Sequence, residues 1–482
     1  MRRGFNLALG MALTGLAVWT LYRVLQLAMT TELGPDGGYF VVRSWQVRDG
    51  EIPYRDFYWW HTPGILYLLR YSASLFGENH ASLAWQVLIQ QLATLILLLA
   101  VMRRLFDSSL RPLALGATVF LASVPIFEGL ALMLEPPMNL FGWLALWLAL
   151  GVGQRANDHD RRTWALAFAA GLAAGLSFWM KQQGALFVLL VAVLPSLASG
   201  RQRLRPALVS ALGAALIPLS FVAVHPDAVV PAWHMFGDLT RYATGQDKYA
   251  VGDTSYWIRR APWVGILPLL AAVAATVRLF LPGDPVERRR ARLVAACAAT
   301  GAVLTLPCFF QPYAHYLLVP LPFAVLALAF LVRLGSRAGW RWAAVTACAS
   351  AAAVVIPSWR MANDFERILL HDLRPGGLRE ERRIAAFIAR HAGSAPRVYI
   401  APNVPQYYVH TGKMGVDGDY IYLPDDARVR ASLTSGVPAF IVNRGGASIA
   451  HYESLFHAAG YTLTDRRPRV SAWKPPARIP IR

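Results

Sequence analysis

Residues 81–102 read ASLAWQVLIQQLATLILLLAVM, and Arg103 and Arg104 follow them directly. An apolar run of about 20 residues is long enough to cross the hydrocarbon core of a bilayer as a helix. Basic residues directly after such a run are typical of a loop on the cytoplasmic side. The stretch therefore predicts a membrane-spanning helix whose C-terminal end lies on the cytoplasmic side.

The composition of the whole chain agrees with a membrane protein. Of the 482 residues, 56% are hydrophobic and 16% are charged, whereas soluble domains contain about 25% charged residues. The formal net charge is +19. The basic residues separate apolar runs instead of forming one patch, so we expect no nucleic-acid partner. An odd number of cysteines within apolar runs argues against a disulfide framework and a cysteine-ligated metal; they are Cys297, Cys308 and Cys348.

Further apolar runs raise the expected number of crossings to about eleven. The first, Gly4–Leu27, follows a basic start; a signal peptide is the alternative, but no small-residue cleavage site follows, so we predict an uncleaved helix. The run 293–332 is too long for one crossing and breaks near Gln311-Pro312, which predicts two helices. The other runs are Pro112–Phe127, Pro136–Gly153, Trp164–Met180, Gln182–Ser199, Pro206–Ala223, Ala261–Leu281 and Trp342–Pro357.

The distribution of arginines predicts the orientation. With the N-terminus in the cytoplasm, every arginine-rich short loop falls on the cytoplasmic side, and an odd number of crossings places the C-terminus outside. We therefore expect a transmembrane domain over 1–359, with external loops at 30–80 and 225–260, and a small external α/β domain over 360–482. In that domain we expect helices at Arg379–His391 and Ala447–Ala459, buried strands at Arg397–Ala401 and Ala439–Asn443, and a poorly ordered tail rich in proline and arginine at Arg466–Arg482.

The external loop 30–80 carries the clearest signal for chemistry. Asp36 lies in Gly34-Pro-Asp-Gly-Gly-Tyr39, directly after the first predicted helix. A carboxylate at this water–lipid boundary can serve a reaction between a lipid-carried group and a water-side acceptor, so Asp36 is our candidate general base. The alternative is a turn aspartate stabilised by local backbone hydrogen bonds. We expect the two glycines after Asp36 to let the backbone approach a substrate closely.

For other polar residues near the outer helix ends we consider a functional role and a structural one. Glu135 is a functional candidate because an ionisable group near membrane depth is costly to bury. Lys181 either snorkels to the interface or binds a lipid phosphate. His61 is a phosphate or sugar contact or a structural histidine, and Asp56 binds acceptor or is solvated. Arg241, in the stretch 225–260, belongs to a cover over the site or to an interfacial segment. Carboxylates including Glu128 could hold Mg²⁺ or Mn²⁺, but no dense Asp-x-Asp cluster exists and no metal ligand is assigned.

One pattern in the loop resembles a known family. Asp36-Gly-x-Tyr39, Gly50-x-x-Pro53-Tyr54-x-Asp56-Phe57, Thr62-Pro63 and Phe76-Gly77 resemble the first outer loop of GT-C type membrane glycosyltransferases. The group concerned is family-39-like and is similar to protein O-mannosyltransferases and lipid A aminoarabinose transferases. The resemblance covers roughly residues 1–360.

The resemblance implies a bacterial inner-membrane enzyme that takes a sugar from a polyprenyl-phosphate carrier and inverts its anomeric centre. It implies that Asp36 is the catalytic acidic residue of the first loop, and that Lys181, His315 and Tyr316 contact the carrier phosphate. We place Tyr39 and Tyr54, with Asp56, Glu135 and Arg241, among the acceptor or sugar contacts. The chain departs from the pattern at His61 and Gln311, where the family commonly has lysine and arginine.

The sequence therefore predicts a glycosyltransferase whose partners are a polyprenyl-phosphate sugar, membrane lipids, and a glycan, lipid or protein acceptor. A transporter or lipid flippase is the alternative, but we find no internal repeat, and the charges gather at outer helix ends instead of the membrane midplane. A membrane-anchored binding protein is a third reading, and it leaves the elaborate first loop unexplained.

Overall fold

The structure is a computed structural model, and it describes residues 2–31, 33–106, 110–154, 160–199, 204–243, 261–281, 284–307, 314–337, 378–401, 404–416, 426–442 and 449–476. The chain divides into two compact units. The first comprises Met1–Met29, Trp59–Ile65 and Trp85–Phe365, and the second comprises Thr30–Tyr58, Leu66–Ala84 and Glu366–Arg482.

The described residues are mostly helical. The α-helices in chain order are α1 (Arg2–Thr30), α2 (Gly34–Arg48), α3 (Gly64–Phe76), α4 (His80–Phe106), α5 (Leu110–Ser123), α6 (Glu135–Gly153), α7 (Arg161–Met180), α8 (Ala185–Ser199), α9 (Leu204–Val224), α10 (Val229–Ala243), α11 (Trp263–Phe280), α12 (Pro285–Thr305), α13 (Leu321–Arg337), α14 (Leu378–Ala392), α15 (Gln406–Thr411), α16 (Asp426–Leu433) and α17 (Ile449–Ala458).

Six of the described helical segments are long and apolar enough to cross a membrane. They are α4, α6, α7, Gln182–Ser199, α9 and α11. Helix α9 shows why such a helix needs lipid: large side chains at every third or fourth position are exposed, which makes one continuous apolar face. That face consists of Leu204, Leu208, Leu212, Leu216 and Leu219. The chain is therefore a polytopic helical membrane protein.

The remaining predicted crossings fall on shorter or more polar helices. Helices α1, α5, α12 and α13 cover four of the predicted crossings, and Trp342–Pro357 lies outside the described residues. The predicted break in the run 293–332 falls partly on residues 308–313, which are also outside the description; a 3-10 turn at Ala314–Leu318 follows it. The count of eleven crossings stays a prediction.

Small residues allow α7 and α9 to approach closely. A Cβ atom on Gly171 would lie 1.9 Å from the carbonyl oxygen of Ser210, and one on Gly175 would lie 2.5 Å from that of Ala214. The Ser210 hydroxyl also donates to the Ala167 carbonyl at 2.9 Å. In a bilayer, close van der Waals packing and interhelical hydrogen bonds are what hold helices together. The face of α7 that carries Gly171 and Gly175 is therefore the face that packs against α9.

The second unit contains a five-stranded mixed sheet in the order β2-β1-β3-β5-β4. The strands are β1 (Arg397–Ala401), β2 (Met414–Gly415), β3 (Ala439–Val442), β4 (Thr462–Arg467) and β5 (Val470–Lys474). Strands β2, β1 and β3 run parallel, and β5 is antiparallel to both β3 and β4. Aromatic side chains fill the core beside it, including Tyr399, Phe456, Tyr461 and Trp473. Strands β1 and β3 and helices α14 and α17 agree with the predicted elements.

The prediction of a poorly ordered tail from Arg466 was wrong as far as Lys474. Strands β4 and β5 pair as a hairpin, and β5 continues the sheet beside β3. The prediction rested on the high arginine content, but this segment contains a buried strand. Its residues Val470, Ala472 and Trp473 are at most 5% exposed. Their burial supplies the free energy that orders the hairpin.

The predicted outer loop is also largely helical, and part of it belongs to the second unit. Helix α2 starts at Gly34, with Asp36 in its first turn. A Cβ atom on Gly38 would lie 2.2 Å from the backbone nitrogen of Gln406, so the absence of a side chain serves packing against α15. We had expected this glycine to admit a substrate, and that interpretation was wrong because the backbone of Pro405-Gln406 occupies the space.

The α7–α9 contact predicts a selective cost for one added methyl group. Gly171→Ala should destabilise the protein by about 1–3 kcal/mol, because the Cβ atom meets a helix backbone that cannot move aside cheaply. The midpoint of thermal unfolding in detergent measures this. Gly15→Ala in α1 is the matched control, since its Cβ atom meets nothing within 4 Å. Equal midpoints for the two variants would contradict the tight contact.

Candidate functional site in the membrane unit

Lys181 lies at a break between two membrane helices. Helix α7 ends at Met180, and Lys181 adopts an extended backbone while its N–H still donates to the Ser177 carbonyl at 3.2 Å. A 3-10 turn, Gln182–Gly184, then leads into α8. A Cβ atom on Gly184 would lie 2.3 Å from the Ser177 carbonyl carbon, so the tight turn requires glycine. The break leaves the Lys181 side chain only 3% exposed.

Glu135 compensates the buried lysine. It is the first residue of α6, followed by Pro136 and Pro137, and it is 1% exposed. Its carboxylate forms an ion pair with the Lys181 ammonium. The Ser177 hydroxyl donates to the Met138 carbonyl at 2.8 Å and ties the two helix ends together. The snorkelling alternative for Lys181 is therefore wrong: the ammonium lies inside the protein against a carboxylate.

The 3-10 turn Ala314–Leu318 contributes two aromatic rings to the same site. The Lys181 Nζ atom lies 4.2 Å from the centre of the Tyr316 ring, which is a cation–π contact. The His315 Nδ1 atom lies 3.0 Å from Glu128 Oε2. Glu128 has a φ of 58°, a left-handed conformation that is strained for a residue with a side chain.

Asn139 positions this turn, and the sequence reasoning missed it. Its Nδ2 atom donates to the Leu318 carbonyl at 2.7 Å, and the side chain is buried. Asn139 is four residues after Glu135, so both lie on one face of α6. A polar side chain one turn into an apolar helix was the available signal.

Trp59–Ile65, a segment of the predicted outer loop, brings His61 to the site. Gln182 Nε2 donates to the Trp60 carbonyl at 2.9 Å, and Gln182 Oε1 lies 3.4 Å from His61 Nδ1. Gly64 permits this approach, because a Cβ atom there would lie 2.3 Å from the Trp179 carbonyl oxygen. Burial, followed by the nearby Lys181 charge, lowers the pKa of His61 to about 4. His61 is therefore neutral near pH 7.

The other candidates in the predicted outer loop belong to the second unit. Asp36 is half-buried in the first turn of α2, where the helix dipole favours a carboxylate. The Tyr39 hydroxyl lies 3.2 Å from the Tyr58 carbonyl oxygen, to which it donates. Tyr54 is buried with a φ of 72°, and burial raises its pKa. Asp56 is exposed; its hydrogen bonds with Arg55 and the Ile52 N–H lower its pKa.

The structure gives no geometry for two predicted features, the Arg241 contact and a divalent-metal site. Arg241 lies in α10, but its side chain and residues 244–260 are outside the description. In the described part of the chain, no group of three or more histidine, cysteine, aspartate or glutamate side chains is arranged to hold a metal ion. The structure thus brings five predicted residues together in the first unit, which contains the candidate membrane-spanning helices (the membrane unit). They are His61, Glu135, Lys181, His315 and Tyr316. Asp36, Tyr39, Tyr54 and Asp56 belong to the other unit.

The buried ion pair predicts strong coupling between its two members. Lys181→Met should cost about 3–5 kcal/mol of stability, because it leaves Glu135 buried without a counter-charge. The double variant Glu135→Gln/Lys181→Met should cost clearly less than the sum of the single variants. Unfolding midpoints in detergent measure this cycle. The exposed pair Arg48–Glu78, at 3.0 Å, is the control, with an expected coupling below about 1 kcal/mol. Additive costs at Glu135 and Lys181 would refute the coupling.

The low pKa of His61 predicts a loss of stability on acidification. The unfolded chain takes up a proton near the ordinary pKa of 6.5, whereas the folded protein does so only near pH 4. Stability is therefore complete above pH 6.5 and falls toward pH 4, by up to about 3 kcal/mol. Unfolding midpoints across this range should fall less steeply for His61→Asn. The exposed His451 supplies the control His451→Asn, which should follow the wild type; identical slopes for all three proteins would refute the assignment.

Known proteins with related sequence or fold bear directly on this site. Residues 60–226 match the family model of dolichyl-phosphate-mannose-protein mannosyltransferases, and this region contains His61, Glu135 and Lys181. A search of curated proteins returned no match.

Several solved structures share the fold along nearly the whole chain. ArnT from Cupriavidus metallidurans in the apo state has a TM-score of 0.58 at 16% identity, covering 96% of this chain and 97% of that one. ArnT bound to undecaprenyl phosphate gives 0.58 at 15% identity, covering 97% and 98%. The oligosaccharyltransferase AglB from Archaeoglobus fulgidus, in complex with an inhibitory peptide and a dolichol-phosphate, gives 0.55 at 11% identity, covering 92% and 70%. The family match over residues 60–226 and the shared fold confirm the predicted resemblance to membrane glycosyltransferases of the GT-C type.

Proposed function

We propose that this protein transfers a sugar from a polyprenyl-phosphate carrier to an acceptor on the outer face of the bacterial inner membrane. The observation that carries the proposal is the buried Lys181–Glu135 pair beside Tyr316, in a membrane unit whose fold matches a structure bound to undecaprenyl phosphate. A buried, compensated lysine at a helix break is costly to maintain in a membrane protein, which favours a functional reason for it.

Lys181 is the proposed contact for the carrier phosphate. The Lys181 ammonium group has three N–H donors. One N–H donates to the Glu135 carboxylate, and the Tyr316 ring lies against one side of the ammonium group. A phosphate oxygen can accept another. Glu135 then holds the lysine in place before the donor arrives, so we assign it to positioning Lys181 and not to binding sugar. The neutral His61 and the His315–Glu128 pair supply further hydrogen bonds to the sugar phosphate.

Asp36 is the proposed general base. It accepts the proton of the acceptor nucleophile as the nucleophile attacks C1 of the sugar. The new bond to C1 forms while the bond between C1 and the phosphate oxygen breaks, and polyprenyl phosphate leaves with its charge stabilised by Lys181. Attack opposite to the leaving group inverts the anomeric centre. Tyr39, Tyr54 and Asp56, from the same loop, and Arg241 are assigned to the acceptor or the sugar.

The proposed topology follows from the charge pattern. Eleven crossings with a cytoplasmic N-terminus place the loop carrying Asp36 and the C-terminal sheet on the outer side. The acceptor is then a molecule of the cell envelope: a protein hydroxyl, lipid A, another glycan or a wall polymer.

A transfer assay tests the proposed function. Purified protein in nanodiscs is incubated with a panel of polyprenyl-phosphate sugars and the four acceptor classes, and mass spectrometry follows loss of sugar from the carrier. Asp36→Asn should reduce transfer about 10²–10⁴-fold, the usual contribution of a general base. A parallel reaction with EDTA asks whether a divalent cation is required.

The matched control is Asp49→Asn, which removes a carboxylate from the other end of α2, where it is half exposed. It should retain transfer. If the wild type and Asp36→Asn behave alike while both remain folded, Asp36 is a turn residue and the base assignment fails. If no donor loses its sugar but lipid crosses the bilayer in vesicles, the flippase alternative replaces the proposal.

A further inference from the structure

A cavity lies at the ends of helices α6 and α7 that are opposite to Glu135 and Lys181. It has a volume of about 320 Å³ and is lined by Arg104, Trp147, Leu148, Gly151, Gln154 and Leu166. These residues come from the end of α4, the end of α6 and the start of α7. Helix α6 has 19 residues, so its two ends are separated by about 28 Å. The cavity is therefore distinct from the site around Lys181.

Arg104 gives the cavity its charge. The guanidinium Nη1 atom donates to the Trp147 carbonyl at 2.5 Å, and the group lies 4.4 Å from the centre of the Trp147 ring. Gly151 leaves the room for it, because a Cβ atom there would lie 3.3 Å from Nη1. The side chain is thus held in place by α6 and not extended into water.

The charge of Arg104 is not neutralised by any carboxylate among the residues that the structure describes. Another arginine packed against the end of α4 is different: Arg333 donates to the Phe106 carbonyl and also lies 3.3 Å from a Glu287 oxygen. A partly buried cation without a counter-charge favours an anionic ligand. A guanidinium offers five donors in a planar fork that matches phosphate, and the contacts to Trp147 use only one edge of it.

We infer that this cavity binds the phosphate of an anionic phospholipid. Basic pockets between membrane helices are suited to such headgroups, and the indole of Trp147 suits the membrane interface. Leu148 and Leu166 provide apolar wall for the glycerol and the first acyl carbons. The neighbouring Arg103 is exposed and contributes general attraction, whereas Arg104 provides the specific contact.

Lipid binding to the full-length protein tests this inference. Native mass spectrometry of the protein in neutral detergent would follow titration with phosphatidylglycerol, with diacylglycerol as the neutral lipid that lacks a phosphate. We expect Arg104→Gln to weaken phosphatidylglycerol binding about fivefold or more and to leave diacylglycerol binding unchanged. Arg103→Gln, one residue away on the same helix, is the matched control and should change binding by less than about twofold.

A second variant separates loss of the site from loss of folding. Leu166→Trp fills the cavity without removing a charge, and it should weaken phosphatidylglycerol binding as Arg104→Gln does, with a thermal midpoint close to that of the wild type. Equal losses for Arg103→Gln and Arg104→Gln would overturn the inference in favour of general surface charge. Displacement of the lipid by inorganic phosphate at equal concentration would also overturn it, because the site would then recognise a free anion.

Discussion

The burial of Lys181 against Glu135 is the constraint on which the membrane unit depends. Neither charge could remain at this depth alone, since an unpaired ion inside a protein costs several kcal/mol. The pair therefore fixes the distance between the end of α7 and the start of α6. The Ser177 hydroxyl and the glycine of the following turn hold the same junction through the backbone.

Two distant chain segments converge on that junction, and each does so through backbone contacts. The segment with His61 is held by the Gln182 amide, and the turn with Tyr316 is held by the Asn139 amide. The side chains that face the lysine are thus fixed before any ligand is present. Such preorganisation is what the proposed stabilisation of the leaving phosphate requires, because dipoles that are already aligned need no reorganisation during the reaction.

Much of this arrangement could be predicted from sequence, and the failures have physical causes. The membrane helices, strand β1 and helix α14 follow from runs and periodicities within a single segment. Lys181 and Glu135 were both recognised as candidates but were given separate roles, because their pairing depends on how α6 packs against α7. Asn139 was missed because one amide in an apolar run gives a weak signal. Strand β5 was not predicted because arginines flank it in the sequence, although Trp473 within the strand is buried.

The close contact between Gly38 and the backbone at Gln406 has a consequence for biosynthesis. The second unit is assembled from two early segments of the chain and its last part, so helix α2 acquires its partner only when more than 400 residues have been made. Contacts of such long sequence separation form slowly, since a large loop must close first. During translation the segment with Asp36 is therefore without its final support, and helix α2 reaches its final packing only after α15 has been made.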